Sequence, residues 1–414
     1  MTTESAPELV RLVTRDFMQD PYPALREARE QGEAVPIDSS GMRMWVVTRY
    51  EDARRLLADP DICKDMVANG EAILRSSVVR PEKLRGVPLA LRRHMLDRDE
   101  PDHTRLRSIV SGHFTGSTVE SMRAEIAATA GALLDGLPAE QPVDLIERFC
   151  RPLARTVISK MIGIPPDDPA PFPEWVNDLL TAPDRSILKA SAESLVEFIG
   201  ALVDGKADKP GPDIATALSE AVLAKKLTRN EAIASVHVLL TGGMEPLNGI
   251  ANAIHSLLRH PDQLDLLTGD LSRIPNCVEE TLRYESPFRM LTPRYSRVPV
   301  RVGTTTIPAN EMILISVAAA GRDPHRFDDP DTFDIERNAR GHLGFGRGIH
   351  RCLGAHLGRL EVETGLSLLL SRRPGLRPAE EADAPAWQPG IFMRRLDRLP
   401  VVLGGERPAA PESP

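Results

Sequence analysis

The sequence contains few cysteines, no block of basic residues and no long apolar run near its start. Its cysteines, Cys63, Cys150, Cys277 and Cys352, are far apart and form neither a CxxC pair nor a zinc-binding spacing. Scattered cysteines of this kind fit a reducing cytoplasm, where a thiolate stays free to bind a metal. The formal net charge of −8 argues against nucleic acid as the main partner.

Targeting signals and internal divisions are equally scarce. Residues 1–20 carry a charge every few positions, so they predict neither a secretory signal nor a membrane anchor. The proline-rich stretch 205–213 predicts a surface connection, and helical patterns continue on both sides of it. We therefore predict an N-terminal extension at 1–19, one globular domain at 20–403 and a disordered tail at 404–414.

The segment 345–354, FGRGIHRCLG, places one thiol at the end of a glycine-rich loop. The glycines permit tight backbone turns, and a helix is expected to begin around Leu353. Cys352 would then meet the unpaired N–H groups and the positive dipole end of that helix, which favour a thiolate. The segment predicts either a nucleophile or a metal ligand; the alternative is an ordinary buried cysteine.

Two further pairs of charged residues have helical spacing. His103 and Arg107 follow Pro101 in a helix-starting context and share one helix face, where they would suit a pair of carboxylates. Glu280 and Arg283 are three positions apart on another helix. The alternative in both cases is an ordinary charged surface.

A long apolar stretch begins at a capping box, Thr228 to Glu231, and continues to about Arg259. A single helix of that length would span about 45 Å. Gly242, Gly243 and Pro246 interrupt it and predict a kink with a freed carbonyl. The alternative is one helix that ends at Gly242 and a second that starts at Pro246.

Together, these motifs resemble those of cytochrome P-450, the haem-thiolate monooxygenases, in the soluble bacterial type. The resemblance implies a mainly α fold with small β-sheets (α+β), in which haem b lies between a long distal helix and a proximal cysteine loop and helix. It implies that the 20–403 domain is catalytic and that the Cys352 thiolate binds the iron and donates charge to it. The haem-binding positions that it implies are His103, Arg107, Arg294, Phe345, Gly346, His350, Cys352 and Gly354. Of these, His103, Arg107, Arg294 and His350 would contact the haem propionates.

The same resemblance assigns a structural role to Glu280 and Arg283. In the family such a pair is buried on the proximal side and is joined by an arginine from a later segment. The segment 321–337, GRDPHRFDDPDTFDIER, is similar to that one and contains Arg337.

The implied activity is insertion of one oxygen atom from O₂ into an apolar small molecule, by hydroxylation or epoxidation, in natural-product or xenobiotic metabolism. Electrons would arrive from a separate ferredoxin and ferredoxin reductase, and the chain would be a cytoplasmic monomer with no membrane partner. Arg347, Arg351 and Arg359 lie near the thiolate, where they would either meet an acidic ferredoxin or be plain solvated arginines.

The chain departs from the family pattern on the distal helix. Gly242, Gly243 and Glu245 match the pattern, but Pro246 takes the place of a threonine whose hydroxyl helps deliver protons to bound dioxygen. Gly243, Glu245 and Pro246 are therefore the catalytic candidates, with Glu245 as either a proton relay or a buried salt-bridge partner. The departure leaves open an enzyme that uses peroxide or catalyses a coupling or rearrangement, and a non-catalytic haem or ligand carrier.

The substrate pocket is predicted from family positions alone, and each residue is as compatible with plain core packing. The predicted pocket residues are Leu239, Gly243, Met244, Met290, Leu291, Ile391 and Phe392.

Overall fold

The structure is a computed structural model that describes residues 14–39, 42–65, 68, 88–182, 184–379 and 386–405. Helices dominate it. They are α1 Arg15–Gln19, α2 Tyr22–Gln31, α3 Tyr50–Leu56, α4 Asp102–Val110, α5 Gly116–Glu120, α6 Arg123–Asp135, α7 Arg151–Ile162, α8 Phe172–Thr181, α9 Arg185–Gly205, α10 Ile214–Leu223, α11 Arg229–Gly243, α12 Pro246–Arg259, α13 Pro261–Gly269, α14 Ile274–Tyr284, α15 Val317–Gly321 and α16 Ala355–Arg372.

The described strands form three small sheets. The strands are β1 Ala34–Ser39, β2 Met42–Val47, β3 Ile62–Cys63, β4 Val143–Asp144, β5 Arg294–Ser296, β6 Val300–Val302, β7 Thr305–Ile307, β8 Met312–Ile315, β9 Arg377–Pro378 and β10 Pro400–Val402. The largest sheet has the order β1-β2-β8-β5-β3, with β1 antiparallel to β2 and β2 parallel to β8. The others are β4-β10-β9 and the β6–β7 hairpin. A helical fold with small sheets confirms the α+β prediction.

The main hydrophobic core lies among the long helices. Leu153 of α7, Leu240 of α11, Ile250 of α12 and Leu366 of α16 are all fully buried in it. α12 is the most deeply placed of them, since residues 247–257 are all buried and the helix is covered on every side. A second core lies against the five-stranded sheet and includes Val47 and other strand residues.

The long apolar stretch forms two helices rather than one. The predicted capping box is present, with both the Thr228 side chain and the Glu231 side chain bonded to backbone N–H groups. α11 ends at Gly243 and α12 begins at Pro246, so the two-helix alternative is correct. The carbonyl of Gly242 is not left free, because it accepts a hydrogen bond from the Glu245 N–H at 3.2 Å.

Glu280 and Arg283 form the buried pair that the resemblance implied. Both side chains are fully buried, and two hydrogen bonds of 2.7 Å join them. Arg337 is the third partner, with its Nε 3.4 Å from a Glu280 oxygen. The surface alternative for this pair is therefore wrong.

Parts of the expected organisation lie outside the described residues. These are most of the N-terminal extension (1–13), residues 66–67 and 69–87 of the globular domain, and residues 406–414 of the tail. Helix α16 begins at Ala355, two residues later than expected. Within the described ranges, every helix is too short or too polar to span a bilayer.

Candidate functional site: a thiolate loop beside unpartnered donors

The cysteine loop is closed by its own backbone. The Cys352 N–H donates to the Phe345 carbonyl at 2.9 Å, and the Gly346 N–H donates to Leu343 at 2.8 Å. Gly348 has a φ of +73°, and a Cβ there would lie 2.3 Å from the carbonyl oxygen of Leu57. Only glycine fits such a position. The close contact between Gly348 and the end of α3 fixes the loop and therefore the position of the thiol.

The Cys352 thiol is accessible but not freely hydrated. The residue is exposed, and yet desolvation by surrounding protein raises the pKa of its thiol. A hydrogen bond from the Gly354 backbone and the nearby charges of Arg107, Arg351 and Arg359 act in the opposite direction on this pKa. A partly desolvated sulfur close to three arginines is suited to bind a metal as a thiolate.

Three buried nitrogen atoms next to the loop have no hydrogen-bond partner among the described residues: Arg294 Nε is a donor, and the Nε2 of His103 and of His350 is a donor in the protonation state that places a proton there. The rings of His103 and His350 meet edge to face with centroids 4.6 Å apart, and the Nε2 atom of each is buried and unbonded. Arg294 is 4% exposed, and its Nε is likewise unbonded. Burial lowers the pKa of His350 to about 2 and that of Arg294 to about 10.

Leaving buried donors unpaired is costly, so this arrangement favours an acceptor from outside the chain. Carboxylates are acceptors only, and a carboxylate also compensates the buried charge of Arg294. The structure therefore brings His103, Arg294 and His350 together beside the cysteine loop, and their role towards a carboxylate stays a prediction.

Arg107 is also beside the loop, but its guanidinium is engaged. It donates to the carbonyls of Ile349 at 3.2 Å and Arg351 at 2.8 Å, so it braces the cysteine loop from α4. Its role towards a propionate stays a prediction.

Glu245 lies in a different cavity, of about 40 Å³. Its carboxylate is paired with Arg395 and accepts a hydrogen bond from Asn248 Nδ2 at 3.0 Å. Burial raises the pKa of Glu245, and the charge of Arg395 opposes that rise. None of residues 345–354 lines this cavity, whose polar lining is Arg151, Asn177, Thr241, Glu245, Asn248, Gln388 and Arg395.

The other two catalytic candidates, Gly243 and Pro246, lie close to residues of neighbouring elements. A Cβ on Gly243 would lie 2.3 Å from Ile158, so this glycine permits the contact between α11 and α7. A Cβ on Gly358 of α16 would lie 3.7 Å from Phe345 and 4.0 Å from Pro246. The structure thus brings Pro246 and Phe345 to one face of α16.

The predicted pocket residues fall into three places. Leu239 and Met244 are in the main core, and Met244 also lines the Glu245 cavity. Met290 is fully buried in a cluster against which Ile391 and Phe392 pack. Leu291 approaches the cysteine loop, with its Cδ1 3.8 Å from the Cβ position of Gly346.

Sequence reasoning missed two residues at these sites. Arg395 was not expected to pair with Glu245, and Lys64 was not expected to be buried beside Arg294. Neither residue stands in a recognisable motif, so no local signal pointed to either.

Known proteins are similar to this chain in both sequence and fold. A family model described as Cytochrome P450 matches residues 268–373. Cytochrome P450 107B1 of Saccharopolyspora erythraea is 40% identical over 406 residues, which cover 98% of this chain and 100% of that protein. The 6-deoxyerythronolide B hydroxylase of the same organism is 35% identical, covering 95% of this chain and 98% of the hydroxylase. The structure of the tirandamycin C-bound P450 monooxygenase TamI has a TM-score of 0.88 at 35% identity, covering 95% of this chain and 100% of TamI.

Such identity over nearly the full length establishes the family, and the family carries a haem. The residues described above fit that group: a recessed thiol for the iron, and unpartnered donors on His103, Arg294 and His350 for two propionates. The chain therefore belongs to the cytochrome P450 family and is an oxidoreductase of its monooxygenase class.

Proposed function

We propose that this chain binds haem b through Cys352 and inserts one oxygen atom from O₂ into an apolar natural product, by hydroxylation or epoxidation. The observation that carries the proposal is the accessible, desolvated thiol next to three unpartnered buried donors. The names of two relatives, one a 6-deoxyerythronolide B hydroxylase and one solved with tirandamycin C, support a natural product as the substrate class.

Each side chain then has a definite task. When bound, the haem supplies the iron centre at which dioxygen is activated. Cys352 gives its thiolate to the iron, and the Gly354 N–H and nearby arginines stabilise the negative sulfur. His103, Arg294 and His350 hold the propionates.

Protons need another route than the usual hydroxyl, because Pro246 provides none. Glu245 is the carboxyl that we propose as the relay for this task, since it directly precedes Pro246 and burial raises its pKa. Arg395 and Asn248 position that carboxyl within its small polar cavity. Proton transfer to the substrate side requires water between the two, as in other buried relays.

Electrons would come from a separate ferredoxin and its reductase. Arg347 and Arg351 are exposed on the cysteine loop and are the candidates to meet an acidic partner. Arg359 is less suited, because it is already paired with Glu279. We further propose that the enzyme is a cytoplasmic monomer; the four described cysteines are unpaired, as is usual in a reducing compartment.

A peroxide-driven enzyme, or one that catalyses a coupling or rearrangement, is the second candidate, and the observation in its favour is Pro246. A peroxide-driven reaction needs fewer proton deliveries because the oxygen arrives already reduced.

The test is a ligand screen followed by turnover. Polyketide and macrolactone compounds are added to the ferric protein, and those that shift its visible absorption are incubated with ferredoxin, reductase, reduced nicotinamide and ¹⁸O₂. We expect a product with one labelled oxygen. Product formed only with peroxide would favour the second candidate, and binding without any product would point to a ligand carrier.

A further inference from the structure

Lys64 is a buried lysine that lies beside the proposed propionate site. It directly follows β3 and is 2% exposed. Its backbone N–H donates to Asp99 Oδ1 at 2.8 Å, and the same oxygen is 4.0 Å from His350 Nε2. Asp99 therefore places the lysine next to the histidine.

The ammonium group of Lys64 is only partly satisfied. It donates one hydrogen bond, to Thr292 Oγ1 at 2.6 Å. Thr292 is two residues before Arg294, so the hydroxyl, the ammonium and the guanidinium belong to one small region. An ammonium has three N–H donors, and within the described part of the chain no carboxylate forms an ion pair with this one.

The buried positive charges of Lys64 and Arg294 also favour binding of an anion between them. Burial and repulsion from Arg294 together lower the pKa of Lys64 to about 7, against the opposing effect of Asp97 and Asp99. Two cations that repel each other in a buried site are stabilised by a shared negative group. Among the described residues, Asp97 and Asp99 act on Lys64 from beyond ion-pair distance.

We propose that Lys64, oriented by Thr292, contributes a further contact to a haem propionate and neutralises its charge. The inference rests on the proposed function, because it needs the haem. It adds to the three unpartnered donors a fourth group that reaches the site from β3 rather than from α4, β5 or the cysteine loop. Lys64 is a positioning residue in this account, since it does not touch the reacting atoms.

The test measures how tightly the haem is held. Haem transfer from the ferric holoprotein to apomyoglobin is timed for the wild type and for Lys64→Met, which keeps the length of the side chain and removes its charge. We expect transfer to become at least about tenfold faster, in line with the loss of one charge-assisted hydrogen bond. The ferric/ferrous reduction potential should also fall, because an uncompensated propionate charge favours the ferric state.

The matched control is Lys206→Met. Lys206 is likewise largely buried and pairs with Asp213, at 14% and 11% side-chain exposure, but it belongs to the α9–α10 connection. Its substitution should leave the transfer rate and the potential unchanged. Thr292→Val, which removes the hydroxyl only, should give a smaller acceleration in the same direction and serves if Lys64→Met does not fold.

A second haem separates a propionate contact from a structural role. In protein reconstituted with haem dimethyl ester, whose propionates carry no charge, Lys64→Met should have no further effect on transfer. An equal acceleration with both haems would overturn the inference and make Lys64 a partner of Asp97 and Asp99 only. An unchanged rate with ordinary haem would also overturn it. A wild-type protein that takes up no haem would instead refute the proposed function itself.

Discussion

Replacement of Arg283 by lysine tests how the proximal side of the fold is held. The guanidinium uses all five of its N–H donors: two hydrogen bonds of 2.7 Å reach Glu280, and three reach the carbonyls of Gly321, Pro330 and Thr332 at 2.7, 2.7 and 2.9 Å. Lysine has only three donors, so Arg283→Lys loses at least two of these five hydrogen bonds, of which those to Glu280 and Gly321 are buried.

The size of the effect follows from that count. Each hydrogen bond to a charged group contributes about 1.5–3 kcal/mol, so the loss of two gives about 3–6 kcal/mol. This is a large share of the roughly 5–15 kcal/mol that stabilises a native protein. Urea unfolding followed by circular dichroism measures the loss, and haem content reports whether the proximal side still assembles.

Arg123→Lys is the matched control for Arg283→Lys. Arg123 pairs with Glu120 at the same i,i+3 spacing, but the two side chains are 48% and 61% exposed. An exposed pair of this kind contributes about 0–1 kcal/mol, so little change is expected. The reasoning would be refuted if Arg283→Lys lost no more stability than Arg123→Lys.

Three further predictions concern the site and its supports. Arg395→Met should lower the free energy of unfolding by about 3 kcal/mol, because it leaves Glu245 buried without its cation. Adding Glu245→Gln should recover part of that loss; if urea unfolding shows that the two losses simply add, the pairing is contradicted. Gly348→Ala should cost about 1–3 kcal/mol from a positive φ and a clash, and should reduce haem content; unchanged thermal unfolding would argue against this loop geometry. Burial raises the pKa of Glu279, but hydrogen bonds from its partners, including Arg359, have the larger combined effect and lower the pKa to about 2. Its contribution is therefore complete above about pH 4.5 and is lost as the pH falls towards about 2, so Glu279→Gln should flatten the stability profile across that window; parallel profiles would refute this.

Residues in local motifs were predicted best from the sequence. Glu280 and Arg283 share a helix face because they are three positions apart, and the family resemblance supplied Arg337 as their third partner. The break between α11 and α12 could be predicted because Pro246 cannot donate to Gly242. Whether the break is a kink within one helix or a gap between two helices depends on the turn at Met244 and Glu245, and hydrophobic periodicity does not specify that turn.

Partners from distant parts of the chain could not be predicted. Lys64 meets Thr292 across 228 positions, and Glu245 meets Arg395 across 150. Helical and strand periods show which face of an element is buried, but not which remote side chain it meets. Arg107 illustrates the same limit, because its position suggested a carboxylate partner while the structure shows it bonded to the cysteine loop.

The central claim is that the Cys352 sulfur binds the haem iron. Its most direct test is the absorption spectrum of the purified protein after reduction and treatment with carbon monoxide. The account predicts the red-shifted Soret band of thiolate-ligated haem in the wild type and in Cys277→Ala, and its loss in Cys352→Ala. A wild type without that band, or a Cys352→Ala variant that keeps it, would contradict the claim.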